Sequence, residues 1–134
     1  MTVPSHRARV AVACDKPTYR KSIAAIAEQL PEIALLGDRP EGEEGAAYVR
    51  RVQPDVVILG IDPQEDWAPH LRMYLEAFDG PLVGFAFDGR QHEAYRAHGI
   101  ETVDGRATGS DLARAVTRAR RRGHRPDSGK LAAD

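Results

Sequence analysis

The sequence predicts a single α/β domain built on a doubly wound parallel sheet. Short β-rich apolar runs recur along the chain, segments with helical spacing of apolar residues lie between them, and the third run, VVILGI, is apolar throughout. Strands that alternate with helices need crossover connections, which make the strands parallel and place helices on both faces of the sheet. A strand without polar positions is typical of the centre of such a sheet, because both of its faces are covered.

Five runs are predicted to be strands. They are Arg9–Ala13, Ile33–Leu36, Val56–Ile61, Leu82–Phe87 and a shorter run at Thr102–Val103. Five parallel strands joined by helices favour the flavodoxin-like strand order 2-1-3-4-5. That order brings the carboxyl ends of the first and third strands side by side, at the edge where open parallel sheets bind their ligands.

Two segments have apolar residues at i, i+3, i+4 and i+7, the spacing of one helix face. These residues are Ile23, Ile26, Ala27 and Leu30 in the first segment, and Leu112, Ala115, Val116 and Ala119 in the last. Pro17 suits the first turn of the first helix, because the N–H that proline lacks would have no partner there. Thr108 and Asp111 have the spacing of a capping box, which predicts the start of the last helix.

Length and composition indicate one soluble globular domain, since 42% of the 134 residues are hydrophobic and 29% are charged. We predict a domain over residues 9–122, a flexible N-terminus over 1–8, and a disordered tail or linker over 123–134. The sequence has no signal-like N-terminal segment and no run of about 18 apolar residues. The single cysteine excludes an internal disulfide. We therefore expect a cytoplasmic protein that does not enter a membrane.

Charge is distributed unevenly along the chain. Residues 1–105 carry 11 basic and 17 acidic side chains, whereas residues 106–134 carry 8 and 3. The arginines of the basic end are Arg106, Arg114, Arg118, Arg120, Arg121, Arg122 and Arg125. Cations near the end of a helix complement its dipole, and neither a helix-turn-helix motif nor an aromatic stacking platform accompanies them. Nucleic acid is therefore expected to bind only weakly or indirectly through this end.

Several common kinds of site are not indicated. The loop CDKPTY after the first strand lacks the small residues that a flavin phosphate needs, and Pro17 stands where a cobalamin-ligating histidine would follow Asp15. His70, His92 and His98 lack the i, i+3 or i, i+4 spacing of a helical metal site. No Gly-x-Ser-x-Gly nucleophile motif is present. We therefore predict that the chain is not an enzyme and binds no metal or cofactor.

Four segments share a pattern with one known family. They are VAVACDKPTYR, PDVVILGIDP, PLVGFAF and AHGIETVDGRATGSDLARAV. They resemble, in that order, the first strand with its acidic turn, the third strand, the fourth strand, and the fifth strand with the last helix of response-regulator receiver domains. The likeness runs from Arg9 to Arg122. It implies the same flavodoxin-like fold and a signalling role, which in this family depends on magnesium-assisted transfer of a phosphoryl group to an aspartate.

The resemblance places the family's phosphate-accepting aspartate at Gly60, which has no nucleophile. The family's pair of magnesium-binding acids falls at Cys14 and Asp15, and a thiol is too soft a ligand for magnesium. Asp62 is an alternative acceptor, but two residues of strand displace it by about 6 to 7 Å, whereas transfer needs atoms about 3 Å apart. The simpler interpretations are a solvated loop carboxylate for Asp62 and a small buried hydrophobe, rather than a redox sensor, for Cys14.

The remaining site positions also differ from the residues that the family has there. The resemblance places Ala86 where the family has the hydroxyl residue of its switch, and Val103 where it has the aromatic residue. Arg106 replaces the lysine that holds the phosphate. It stays a candidate anion-binding residue, because a guanidinium pairs well with phosphate and carboxylate groups.

The resemblance therefore implies a pseudo-receiver, a regulatory module that binds a protein partner or a second copy of itself without phosphorylation. A role related to transcription follows by analogy. In receivers the last two strands and helices commonly form the dimer face, which makes six residues candidates for an interface: Gln91, Tyr95, His98, Ser110, Arg114 and Arg118. The alternative is a small-molecule or anion sensor in which Asp15 and Arg106 flank a crevice opened by the missing side chains.

Overall fold

The computed structural model describes residues 7–14, 16–40, 42–62 and 67–122. Five strands alternate with five helices along these residues. The strands are β1 (Ala8–Ala13), β2 (Ile33–Leu35), β3 (Val56–Leu59), β4 (Leu82–Ala86) and β5 (Glu101–Asp104). The helices are α1 (Pro17–Glu28), α2 (Gly45–Val52), α3 (Trp67–Ala77), α4 (Gly89–Ala97) and α5 (Gly109–Arg122). No helix in these segments is long and apolar enough to cross a membrane.

The strands form one parallel sheet in the order β2-β1-β3-β4-β5, so the predicted flavodoxin-like α/β fold is confirmed. Ala13 lies opposite Leu59 in the pairing of β1 with β3. The Gly60 N–H donates to the Ala13 carbonyl at 3.0 Å, which extends this pairing by one residue. Cys14 and Gly60 are therefore neighbours at the carboxyl edge of the sheet.

A hydrophobic core covers each face of the sheet. On one face Ile58 and Val103 pack with apolar residues of α1 and α5. On the other face Leu59 and Tyr74 pack with residues of α2, α3 and α4. All four residues of β3 are buried, which explains why its sequence has no polar position.

Both predicted helix starts are confirmed. Pro17 occupies the first turn of α1. At α5 the Thr108 N–H donates to the Asp111 carboxylate at 3.0 Å, and the Asp111 N–H donates to Thr108 Oγ1 at 3.3 Å. The hydrogen bonds from the Thr108 backbone and hydroxyl hold the pKa of the Asp111 carboxyl below its ordinary value.

The ends of some elements differ from the predicted ends. β1 begins at Ala8, which is fully buried, rather than at Arg9. β3 ends at Leu59 rather than at Ile61, so Gly60 and Ile61 lie in the loop that leads away from the sheet. Residues 1–6 and 123–134 lie outside the described residues, so the flexible N-terminus and the disordered tail stay predictions.

Candidate functional site

The space beside Gly60 is filled by apolar side chains. Gly60 is buried, and a Cβ atom added to it would lie 2.8 Å from Ile23 Cδ1 and 3.2 Å from Cys14 Sγ. Both neighbours are buried members of the core between the sheet and the α1–α5 layer. The position that resembles the phosphate-accepting aspartate therefore has neither a nucleophile nor free volume for one.

Cys14 packs as a small hydrophobic residue at the end of β1. It is 1% exposed, and its thiol donates a weak hydrogen bond to the Lys16 carbonyl at 3.5 Å. This burial agrees with the simpler of its two sequence interpretations, since reactive cysteines are at least partly exposed. Asp15, its predicted acidic neighbour, lies outside the described residues, so its role stays a prediction.

Asp62 is paired with a lysine. Its Oδ2 lies 3.1 Å from Lys16 Nζ, and its side chain is only 10% exposed. The same ammonium lies 5.2 Å from the ring centroid of Tyr19, within range of a cation–π interaction. The interpretation of Asp62 as a solvated loop carboxylate is therefore wrong, because its side chain is mostly buried and its carboxylate forms an ion pair.

A second cation lies at the same edge of the sheet. The Arg20 guanidinium donates to the Cys14 carbonyl at 3.0 Å and lies 2.9 Å from Asp38 Oδ1. Its side chain is 15% exposed. Arg20 was not predicted as a site residue, because its partners come from separate loops that only the folded sheet brings together.

Ala86 and Val103 belong to the hydrophobic core. They are 2% and 4% exposed and face opposite sides of the sheet. The adjacent Phe87 stacks on Tyr19 with ring centroids 5.0 Å apart, and its ring also lies against Gly105. Aromatic packing thus joins α1 to the loops after β4 and β5, beside the two positions that the family resemblance assigns to the switch.

Arg106 is the sequence-predicted residue that is most accessible at this edge. It is exposed in the turn after β5, where its backbone N–H donates to Asp104 Oδ1 at 2.8 Å. Its guanidinium has no hydrogen-bond or ionic partner among the described residues. Those residues also contain no group of three or more His, Cys, Asp or Glu side chains that could hold a metal ion.

The buried Gln91 side chain links two loops by hydrogen bonds, so its predicted place in an interface is wrong. It is fully buried; its side chain accepts a hydrogen bond from the Phe87 N–H at 2.8 Å and donates one to the Ile61 carbonyl at 2.9 Å. These bonds join the loop after β3 to the loop after β4. A buried amide with both ends paired fixes the relative position of the two loops.

Tyr95 is also fully buried, so its predicted exposure at an interface is wrong. Its ring lies so close to Gly84 that a Cβ there would be 2.6 Å from Cε2, which explains a glycine in the middle of β4. The other four predicted interface residues are accessible. His98 is half-buried, while Ser110, Arg114 and Arg118 are exposed.

The Tyr95→Phe variant is expected to be more stable than the natural chain by about 1 kcal/mol, because an unpaired buried hydroxyl costs free energy. Within the described residues the Tyr95 hydroxyl has no hydrogen-bond partner, and burial raises its pKa well above the usual range. Because burial disfavours the ionised phenol, the fold keeps its stability below the ordinary tyrosine pKa and loses stability as the pH rises above it. Urea unfolding at neutral and alkaline pH should therefore show a smaller alkaline loss in the variant.

Tyr48→Phe is the matched control for this prediction. The buried Tyr48 hydroxyl donates to the Gly37 carbonyl, so its removal should lower the free energy of unfolding by about 1 kcal/mol. Equal losses in the two variants would show that the Tyr95 hydroxyl does have a partner in solution.

Comparison with known proteins assigns no family to the chain. No protein-family model matches the sequence, and no curated protein matches it at a significant level.

Proposed function

We propose that this chain is a receiver-like regulatory module, not an enzyme, that binds another protein or a second copy of itself without phosphorylation. The observation that supports this most directly is the apolar packing of Ile23 and Cys14 around Gly60. Phosphoryl transfer needs a nucleophile close to the donor and in line with it. At Gly60 the nucleophile is absent and the space is occupied.

The cations at the edge support the same proposal. Lys16 pairs with Asp62, and Arg20 pairs with Asp38 while donating to the Cys14 carbonyl. In a phosphorylated receiver, magnesium supplies positive charge at this edge. Here the side chains of Lys16 and Arg20 supply positive charge at the same edge.

The surface formed by α4, β5 and α5 is the proposed interface. Its exposed residues include Arg114 and Arg118, and arginine is enriched at protein–protein contacts because its guanidinium makes several hydrogen bonds at once. A role in transcription and a cytoplasmic location belong to the proposal by analogy with receivers.

Light scattering after size exclusion, with chemical cross-linking in cell extract, tests this proposal. We expect the chain to associate with itself or with a captured protein to the same extent with and without acetyl phosphate and magnesium. Charge reversal by Arg114→Glu and Arg118→Glu should weaken that association. Association that requires acetyl phosphate would contradict the proposal, as would a strictly monomeric chain that captures no protein.

A second candidate function is an anion sensor at Arg106, favoured by an exposed guanidinium that pairs with no other described residue. The packing around Gly60 counts against a deep crevice beside it. Thermal-shift screening with phosphate, nucleotides and carboxylates distinguishes the two functions, since a bound ligand raises the melting temperature. A shift that disappears in Arg106→Ala would favour the sensor.

A further inference from the structure

A cleft of about 490 Å³ lies between α4, β5 and α5. Among the described residues that line it, the charged ones are three arginines and one glutamate, namely Arg96, Arg118, Arg122 and Glu101. This cleft is separate from the carboxyl edge of β1 and β3. It belongs to the proposed interface, so the inference below rests on the proposed function and names the partner class of that surface.

Glu101 holds two of the arginines in place. Its Oε1 lies 2.9 Å from Arg118 Nε, and its Oε2 lies 2.9 Å from Arg122 Nη1. The two arginines are one turn apart on α5, so they present the same face. Each guanidinium has five N–H donors, and these contacts use only a small part of them. The remaining donors are positioned for a second anion without the loss of entropy that free arginines would suffer.

Arg96 approaches the cleft from α4, on the other side of β5. Its side chain is exposed and has no hydrogen-bond or ionic partner among the described residues. Among the described lining residues, three cations thus face one carboxylate, so the positive charges exceed the negative ones by two. Unpaired like charges repel, so an anion that enters the cleft relieves this repulsion.

We propose that this cleft binds a carboxylate-rich segment of a partner protein, whose acidic side chains pair with Arg96, Arg118 and Arg122. Glu101 already shows that carboxylate geometry suits two of these guanidiniums. Of the described residues that line the cleft, none is aromatic, so it offers no platform for base stacking. A short cleft is also a poor match for a nucleic-acid backbone, which needs an extended basic stripe.

Fluorescence anisotropy with a fluorescein-labelled octaglutamate peptide tests this inference. We expect salt-sensitive binding to the natural chain, weakened about fivefold or more in Arg96→Ala, because one of three charge-assisted pairs is lost. Arg50→Ala is the matched control: it removes an exposed cation from α2, away from the cleft, and should leave binding unchanged. Thermal unfolding of both variants checks that they are folded.

Glu101→Gln provides an opposite change. It removes the competing carboxylate charge but keeps the side-chain volume and one oxygen that can still accept a hydrogen bond from the arginines, so octaglutamate should bind about threefold or more tightly. The inference is overturned if Arg96→Ala binds like the natural chain, if Glu101→Gln binds more weakly, or if a single-stranded oligonucleotide or inorganic phosphate displaces the peptide at lower concentration than free octaglutamate does. Failure of the proposed function would appear separately, as association that depends on acetyl phosphate.

Discussion

The Gly60→Asp variant, which introduces an aspartate where the family resemblance places the phosphate acceptor, is expected to lower the free energy of unfolding by about 3 kcal/mol without creating a phosphorylation site. The new Cβ would lie 2.8 Å from Ile23 Cδ1 and 3.2 Å from Cys14 Sγ. Ile23 Cδ1 is the free end of a flexible side chain and can move aside, but the carboxylate must then enter an apolar environment. Urea unfolding followed by circular dichroism measures the loss.

Two control variants separate the causes. Gly60→Ala adds only the methyl group and is expected to cost about 1 kcal/mol. Gly37→Asp adds the same carboxylate at an exposed glycine with no atom within 4 Å of its Cβ position, so its effect should stay within about 0.5 kcal/mol. A Gly60→Asp chain that is as stable as the natural one and takes up phosphate would show that the space beside Gly60 is open in solution.

The Gln91→Leu variant is expected to lower the free energy of unfolding by about 3 kcal/mol, because two buried backbone groups lose their partners at once. The Phe87 N–H and the Ile61 carbonyl both bond to the Gln91 side chain. Leucine has a similar volume, so the loss measures hydrogen bonding rather than a cavity. Urea unfolding gives the free energy, and hydrogen exchange at the Phe87 amide should become faster.

Glu93→Leu is the control, because it makes the same kind of change at an exposed position of the same helix. Its effect should stay within about 0.5 kcal/mol. If Gln91→Leu were equally mild and the Phe87 amide kept its protection, the two loops would be held by packing alone.

The fold was predictable because its signals are local. Apolar runs with β propensity and helical spacing around Ile23 and Leu112 are readable within a few residues, and the parallel order follows from their alternation. The edge positions Cys14 and Gly60 could also be located, since Cys14 directly follows the first predicted strand and Gly60 lies near the end of the third.

The partners within the site were not predictable, because they come from distant parts of the chain. Lys16 and Asp62 are 46 residues apart, and Gln91 and Ile61 are 30 residues apart. No local spacing links such pairs; the crossovers of the sheet bring them together. Gln91 was assigned to an interface because the family resemblance places a dimer face there, and its burial depends on two backbone partners that the sequence does not reveal.

Tyr95 was misplaced for a related reason. The α4 sequence GRQHEAYRA has no apolar stripe that would indicate which side faces the core. The clue lies in another element: Gly84 interrupts an otherwise apolar β4, and the missing side chain makes room for the Tyr95 ring. A glycine within a buried strand therefore predicts a close neighbour, but not which one.

Intact-mass spectrometry after incubation with acetyl phosphate and magnesium tests the central claim most directly, namely that this domain works without phosphorylation. We predict a single mass equal to that of the untreated chain, because Gly60 has no nucleophile and Asp62 is paired with Lys16. The same incubation of the Asp62→Asn variant shows whether Asp62 is the acceptor of any added phosphoryl group. A magnesium-dependent gain of one phosphoryl group in the natural chain, lost in Asp62→Asn, would contradict the account.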